Sequence, residues 1–171
     1  MNSKLMKYVS MAYYYMNAAG VNPGTVTQFT INKRAVSRFG RCCRKGDIYA
    51  IEISELLLYD GCEIELLDTI IHELCHAIPG TTGHGEKWRN AMNKVNAVLP
   101  PGFKAQSKAA KGYGTCPQQA VEDFMREHKR VACSCPHCGT KSWLSRKTAK
   151  NYKDAICICG KCGYQGSFDI A

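Results

Sequence analysis

Two histidines four residues apart, with a glutamate directly after the first, are the clearest chemical feature of this 171-residue chain. His72, Glu73 and His76 form an HExxH pattern. On a helix, side chains at positions i and i+4 project from the same face, so both imidazoles can bind one Zn²⁺ at about 2.0–2.1 Å. Glu73 lies about 100° further round the helix and can reach a water molecule on that ion. The pattern therefore predicts a catalytic zinc site with Glu73 as general base.

A catalytic zinc site needs a third protein ligand and one open position. Pro79 and Gly80 end the predicted helix, and His84 follows between two glycines. Glycines allow the backbone to turn, so the imidazole can return to the helix. We assign His84 as the third ligand. Glu86 is the alternative, because some zinc proteases use a carboxylate, but it also suits the first turn of the next helix.

Two CxxC pairs near the C-terminus form a second metal-binding pattern. Twenty residues separate the pairs, which is typical of a zinc ribbon with four thiolates around a structural Zn²⁺. The predicted ligands are Cys135, Cys138, Cys159 and Cys162. A segment this small needs its metal to fold. Cys133 and Cys157 lie two residues before the pairs; we interpret them as core packing, although alternative ligation or an accidental position stays open.

Basic and aromatic residues lie between the two cysteine pairs, and residues 128–153 include no acidic side chain. Cations bind phosphates and aromatic rings stack on bases. The stretch therefore predicts DNA binding, against the alternative of a merely solvated basic surface. The candidate contact residues are Lys141, Trp143, Arg146, Lys147, Lys150 and Lys153.

The charge agrees with a polyanionic partner, and the composition argues against a disulfide scaffold, a membrane-spanning protein and a secreted protein. The formal charge is +9; residues 1–98 carry 11 basic and 9 acidic side chains, whereas residues 99–171 carry 12 and 5. The 11 cysteines are an odd number, which argues against a disulfide scaffold. No apolar run approaches the roughly 18 residues of a membrane helix, and residues 1–20 lack a signal-peptide core. We expect no membrane contact and a cytoplasmic location, nucleoid-associated if the source is bacterial or viral.

Helices and strands must position these residues. Apolar spacing predicts helices over Lys4–Ala19, Glu63–Ile78, Glu86–Val98 and Gln118–Val131. Short strands are expected at Val26–Ile31, Arg34–Phe39 and Ile48–Ile53, with a hairpin turn at Asn32 and Lys33.

We predict an α+β protein of two domains. Residues 1–98 form a small zincin-like metalloprotease domain, in which helices pack on a short antiparallel sheet and one helix carries HExxH. Residues 99–117 form a linker that begins with two prolines and a glycine. Residues 118–171 form a helix followed by a zinc ribbon with four cysteine ligands.

The run from Asp68 to Ala77, followed by Gly83 to Trp88, resembles the SprT-like zinc metalloprotease family, which includes Spartan. Phe39–Cys42 and Ile48–Ser54 are also similar to the segment that precedes the active helix in that family. The resemblance covers about residues 5–98, and the cysteine pairs fit the zinc-ribbon tail common in the family.

The resemblance implies that His72, His76 and His84 bind a catalytic zinc and that Glu73 is the catalytic base. It also implies a zinc endopeptidase, with one catalytic and one structural Zn²⁺, that cleaves DNA-bound or DNA-crosslinked proteins. Two alternatives stay open. One is a non-catalytic, zinc-stabilised nucleic-acid-binding protein, and the other is a general processing metalloprotease whose ribbon only braces the fold.

Overall fold

A computed structural model of the chain describes residues 2–81, 83–103, 115–152 and 155–171. The chain divides into two compact units, Met1–Ala120 and Val121–Ala171. Within the described residues five α-helices accompany short sheets, so the α+β class is confirmed. The domain bounds given above stay predictions, and residues 104–114 of the predicted linker lie outside the described residues.

The elements of the two units follow one another in a simple order. The first unit contains α1 (Ser3–Ala18), β1 (Thr25–Asn32), β2 (Gly40–Lys45), β3 (Ile48–Ser54), a short 3-10 helix (Glu55–Leu58), α2 (Glu63–His76) and α3 (Glu86–Asn96). Helix α4 (Gln118–Glu127) crosses the boundary, and the second unit continues with β4 (Arg130–Ser134), β5 (Lys141–Ser145), α5 (Arg146–Tyr152), β6 (Cys157–Ile158), β7 (Gln165–Gly166) and β8 (Asp169–Ile170).

Helix α2 is the centre of the first unit, because it contacts α1, α3, β2 and β3. Its apolar side chains recur at helical spacing and are fully buried; they are Leu66, Leu67, Ile70, Ile71 and Leu74. Burying one such side chain stabilises a fold by roughly 1.5–3 kcal/mol. The helix that carries the HExxH pattern is therefore held rigidly on several sides.

The sheet of the first unit differs from the prediction in two ways. Residues 34–39 are not a strand, since the second strand is β2 at Gly40–Lys45. The sheet is also mixed rather than antiparallel: its order is β1-β3-β2, with β1 parallel and β2 antiparallel to β3. Residues 33–39 thus cross the end of β3 instead of forming a hairpin.

Hydrogen bonds explain why residues 33–39 leave the sheet. The Asn32 side chain accepts from the Arg34 amide at 2.9 Å, which is a local turn that competes with a strand. Ser54 then fixes the crossing segment: its hydroxyl donates to the Ala35 carbonyl at 2.7 Å, and its amide donates to the Phe39 carbonyl at 2.7 Å.

The second unit consists of two small sheets and two helices. One sheet has the order β5-β4-β8, and β6 pairs with β7. Helix α4 ends at Glu127 and not at Val131 as predicted, because Lys129 adopts a positive φ of 53° and β4 starts at the next residue. Left-handed backbone at a helix end stops the helical hydrogen-bond pattern.

None of the helices in the described part of the chain has the length and apolar character needed to span a bilayer.

Candidate metal centres

Three imidazole nitrogens of the first unit converge on one point. The Nε2 atoms of His72 and His76 lie 3.2 Å apart, those of His76 and His84 3.2 Å apart, and those of His72 and His84 3.1 Å apart. His72 and His76 occupy successive turns of α2, and His84 comes from the loop before α3. The structure therefore brings together the three residues that the sequence singled out.

The spacing of these nitrogens fits a shared zinc ion. Two nitrogens bound to one tetrahedral zinc at about 2.1 Å lie roughly 3.4 Å apart, close to the separations found here. Burial, together with the charges of His72 and His84, lowers the pKa of His76 to about 4. A neutral imidazole is the form that binds metal. Glu86, the alternative ligand, is exposed in the first turn of α3 and is not in this group.

The loop that carries His84 is fixed at both ends by hydrogen bonds. The Thr81 hydroxyl donates to the His76 carbonyl at 3.0 Å and to the Ile78 carbonyl at 2.7 Å. From α3, Lys87 donates to the Pro79 carbonyl, and Arg89 donates to the His84 carbonyl at 3.2 Å. The imidazole of His84 is therefore positioned by its own loop and by α3.

Trp88 packs against all three imidazoles and is completely buried. Its ring centroid lies 4.8 Å from that of His72, 5.5 Å from that of His76 and 4.6 Å from that of His84. Such contacts restrict the orientation of each ring, which is how outer residues tune a metal site. Local spacing does not reveal this role of Trp88, because the three imidazole rings come from different places in the chain.

Glu73 is buried, with 7% of its surface exposed, in the segment between the two α2 histidines. Burial raises the pKa of its carboxyl to about 7, while the Cys42 backbone N–H, which donates to it, and the charge of Arg38 act in the opposite direction. A carboxyl with a pKa near neutrality can both accept and release a proton at neutral pH.

Strand β2 approaches Glu73 so closely that any side chain at position 40 would force Thr69 and Glu73 to move. A Cβ on Gly40 would lie 2.8 Å from Oε1 of Glu73 and 2.6 Å from Cγ2 of Thr69. Gly40 and the Cys42 amide thus define the position of the Glu73 carboxylate. This role of Gly40 cannot be read from the sequence alone, because it depends on the packing of β2 against α2.

Four thiols of the second unit form another convergent group. The sulfur atoms of Cys135, Cys138, Cys159 and Cys162 all lie within 4.8 Å of one another. Cys135 and Cys162 are 3.8 Å apart, and Cys138 and Cys159 are 3.7 Å apart. Thiolates on one tetrahedral zinc at about 2.3 Å stand about 3.8 Å apart, so the group fits a structural zinc site and is consistent with a zinc ribbon.

The two cysteine pairs have the same backbone geometry. Gly139 and Gly163 follow them with φ values of 68° and 74°, and each donates its amide to the carbonyl of the first cysteine of its pair at 2.9 Å. Hydrogen bonds from Thr140 lower the pKa of the Cys138 thiol to about 6, which favours the thiolate that binds metal. Cys133 is buried in β4 and Cys157 is half-buried in β6; the four-thiol group includes neither.

Most of the predicted DNA-contact residues are exposed in the second unit. Arg146, Lys147 and Lys150 are exposed on α5, and Trp143 is half-buried in β5. Lys141 is exposed but forms an ion pair with Glu122 at 2.8 Å. A cavity of about 600 Å³ lies beside this surface and is lined by Val131, Arg146, Ala149, Lys150, Phe168 and Asp169, among others. Lys153 lies outside the described residues.

Comparison with known proteins gives one family. A model of the SprT-like family matches residues 12–110, a range that holds the three histidines and Glu73 and ends before the four thiols. No curated protein matches the chain.

Proposed function

The chain belongs to the SprT-like family, and we propose that it is a zinc-dependent endopeptidase with a zincin-type active site. The observation that carries this proposal is the set of three Nε2 atoms at separations of 3.1–3.2 Å, on and beside the helix that holds the buried Glu73. Convergent imidazole nitrogens of this kind are costly to assemble unless a cation binds them.

Each side chain has a distinct role in this proposal. His72, His76 and His84 would hold zinc, which when bound polarises a peptide carbonyl and lowers the pKa of a water molecule. The Glu73 carboxylate accepts the proton of the attacking water and passes it to the leaving amide nitrogen. Gly40 and the Cys42 amide keep that carboxylate in place, and Trp88 keeps the imidazoles in place.

Metal content and one conservative variant test the active site. We expect two zinc ions per chain, of which His76→Ala removes one and Cys159→Ala removes the other. Glu73→Gln should keep both ions and lower proteolysis by roughly 10²–10⁴-fold, the range of a lost acid–base group. Proteolysis by Glu73→Gln at the wild-type rate would remove Glu73 from the mechanism, and a zinc content unaffected by His76→Ala would exclude the three-histidine site.

We further propose that the substrates are proteins bound or crosslinked to DNA, and that the second unit holds the DNA. The support is electrostatic: Arg146, Lys147 and Lys150 are exposed on one short helix, within a stretch free of acidic residues. Because Lys and Arg side chains displace the counterions of DNA, the affinity of such a surface for DNA falls steeply as the salt concentration rises.

Charge-matched variants test the DNA proposal. Affinity falls as the salt concentration rises. The double variant Arg146→Gln with Lys150→Gln should make the slope of log affinity against log salt concentration less steep by about 2. The matched control removes the same charge from the first unit, through Lys7→Gln and Lys94→Gln, which are both exposed. Equal effects of the two pairs would show that only the net charge matters.

The same samples separate the rival functions. Proteolysis that DNA does not stimulate would favour a general processing metalloprotease whose ribbon braces the fold. Salt-dependent DNA binding without proteolysis of any protein substrate would favour a non-catalytic nucleic-acid-binding protein.

A further inference from the structure

Two cysteines outside both metal centres lie against each other in the first unit. Cys62 directly precedes α2 and is completely buried. Cys116 lies far along the chain from it and is half-buried. Their side chains share a hydrogen bond, in which the Cys116 thiol donates to the Cys62 sulfur. Neither belongs to the four-thiol group or to the three-histidine group.

Neighbouring contacts hold the two chain segments together independently of the thiols. The amide of Thr115 donates to Oε1 of the buried Glu65 at 2.7 Å. On the other side, a Cβ on Gly61 would lie 2.4 Å from Cγ of Pro117. Residues 115–117 therefore lie directly on residues 61–65, and the two sulfur atoms meet between these anchoring contacts.

We propose that Cys62 and Cys116 are a redox-modification site, at which a disulfide oxidant of the glutathione class joins them in a reversible disulfide. Thiols in hydrogen-bond contact need little movement to reach the geometry of a disulfide. The hydrogen bond from Cys116 lowers the pKa of the Cys62 thiol, which favours the Cys62 thiolate as the attacking species in the second, disulfide-closing step.

The electrons and protons of the reaction balance with oxidised glutathione as the oxidant. The hydrogen bond to Cys62 and burial raise the pKa of the Cys116 thiol, so this half-buried thiol must first lose its proton to solvent. Its thiolate then attacks one sulfur of the oxidised glutathione and releases one reduced glutathione. The Cys62 thiolate then attacks the Cys116 sulfur of this mixed disulfide and displaces the second reduced glutathione. Two protein thiols lose two electrons and two protons, and one glutathione disulfide becomes two thiols.

The new bond would close a loop that contains the whole three-histidine site. His72, His76, His84 and Trp88 all lie between residues 62 and 116. Closing a loop of this length restricts the unfolded chain and stabilises the folded one. We expect the Tm of the first unit to rise by roughly 5 °C or more on oxidation, because the unfolded state loses freedom.

Peptide mapping of the full, zinc-loaded chain tests this proposal and does not depend on the proteolytic activity of the chain itself. The chain is treated with oxidised glutathione, remaining thiols are alkylated, and trypsin is added under non-reducing conditions. Trypsin cleaves after Lys45, Lys87, Lys111 and Arg126, so Cys62 lies with Cys75 in fragment 46–87 and Cys116 lies in fragment 112–126. Sequencing the linked fragments by tandem mass spectrometry shows which of the two cysteines is joined to Cys116. We expect a linked pair that disappears on reduction, together with the rise in Tm.

Two variants complete the test. Cys116→Ser should abolish both the link and the rise in Tm, and it does not alter the buried position 62. Cys43→Ser, which changes another half-buried cysteine, should leave both unchanged. Cys116 recovered as a glutathione adduct with Cys62 alkylated, or either residue linked to a different cysteine, would overturn the proposal.

Discussion

Replacing Gly40 by alanine tests whether β2 positions the Glu73 carboxylate. The added methyl group would lie 2.6 Å from Cγ2 of Thr69, 2.8 Å from Oε1 of Glu73 and 2.9 Å from Cγ of Glu73. Optimal separations between non-bonded carbon atoms are about 3.5–4.0 Å. The neighbours must therefore move by roughly 0.5–1 Å, and the Glu73 side chain supplies two of these three contacts.

The size of the effect follows from this displacement. A shift of about 1 Å in a catalytic group can cost on the order of 10²-fold in rate, so we expect kcat/KM of Gly40→Ala to fall about 10–100-fold. That range corresponds to about 1.4–2.7 kcal/mol of lost transition-state stabilisation. Overpacking should also destabilise the first unit by about 1–3 kcal/mol. The zinc content should not change, because no ligand is touched.

A second substitution separates the two clashes. Thr69→Ser removes the Cγ2 methyl, so Gly40→Ala with Thr69→Ser relieves the contact with Thr69 and leaves the contact with Glu73. We expect the double variant to regain part of the thermal stability and none of the proteolysis, measured as initial rates on a DNA-bound protein substrate. Recovery of proteolysis along with stability would refute the reasoning, since the Thr69 contact would then explain the loss.

Three further perturbations have defined outcomes. Burial raises the pKa of Glu73 from 4.5 to about 7, so the folded chain binds this proton more tightly than the unfolded chain. In metal-free protein, wild type should therefore lose roughly 3 kcal/mol of stability relative to Glu73→Gln as the pH rises from about 4.5 to about 7, measured by denaturant unfolding. Trp88→Phe should weaken zinc binding at the histidine site roughly 10-fold in a chelator competition, whereas Trp143→Phe should not. A strong chelator should abolish amide-exchange protection in residues 130–171 while the core of α2 stays protected; protection of both segments would contradict a metal-dependent ribbon.

The two convergent groups of side chains could be predicted from the sequence, because their signals are local. His72 and His76 are one helical turn apart, and the buried residues of α2 repeat at the same period. The two CxxC pairs are likewise defined by short-range spacing. Trp88 and Gly40 were missed as site residues because each acts through contacts between distant segments, and single-sequence patterns do not encode such contacts.

The sheet shows where local reasoning fails. The apolar residues of Arg34–Phe39 favour a strand, but the Asn32 side chain closes a turn there. Ser54, at the end of β3, then holds the following segment by a hydrogen bond to the Ala35 carbonyl. Which strands become neighbours depends on tertiary packing. At the end of α4, the periodicity continued beyond Glu127, but the left-handed backbone at Lys129 ended the helix.

The order β1-β3-β2 has a consequence for the way this chain acquires its structure. β1 is synthesised first, but residues 33–47, which include all of β2, separate it from its strand partner β3. β2 and β3 can associate as soon as both exist, since a short connection joins them. Because local pairings form before distant ones, the hairpin should form early and β1 should dock onto it late. Until then the hydrogen-bonding edge of β3 is open to other chains, so slow or crowded refolding should favour aggregation through this edge.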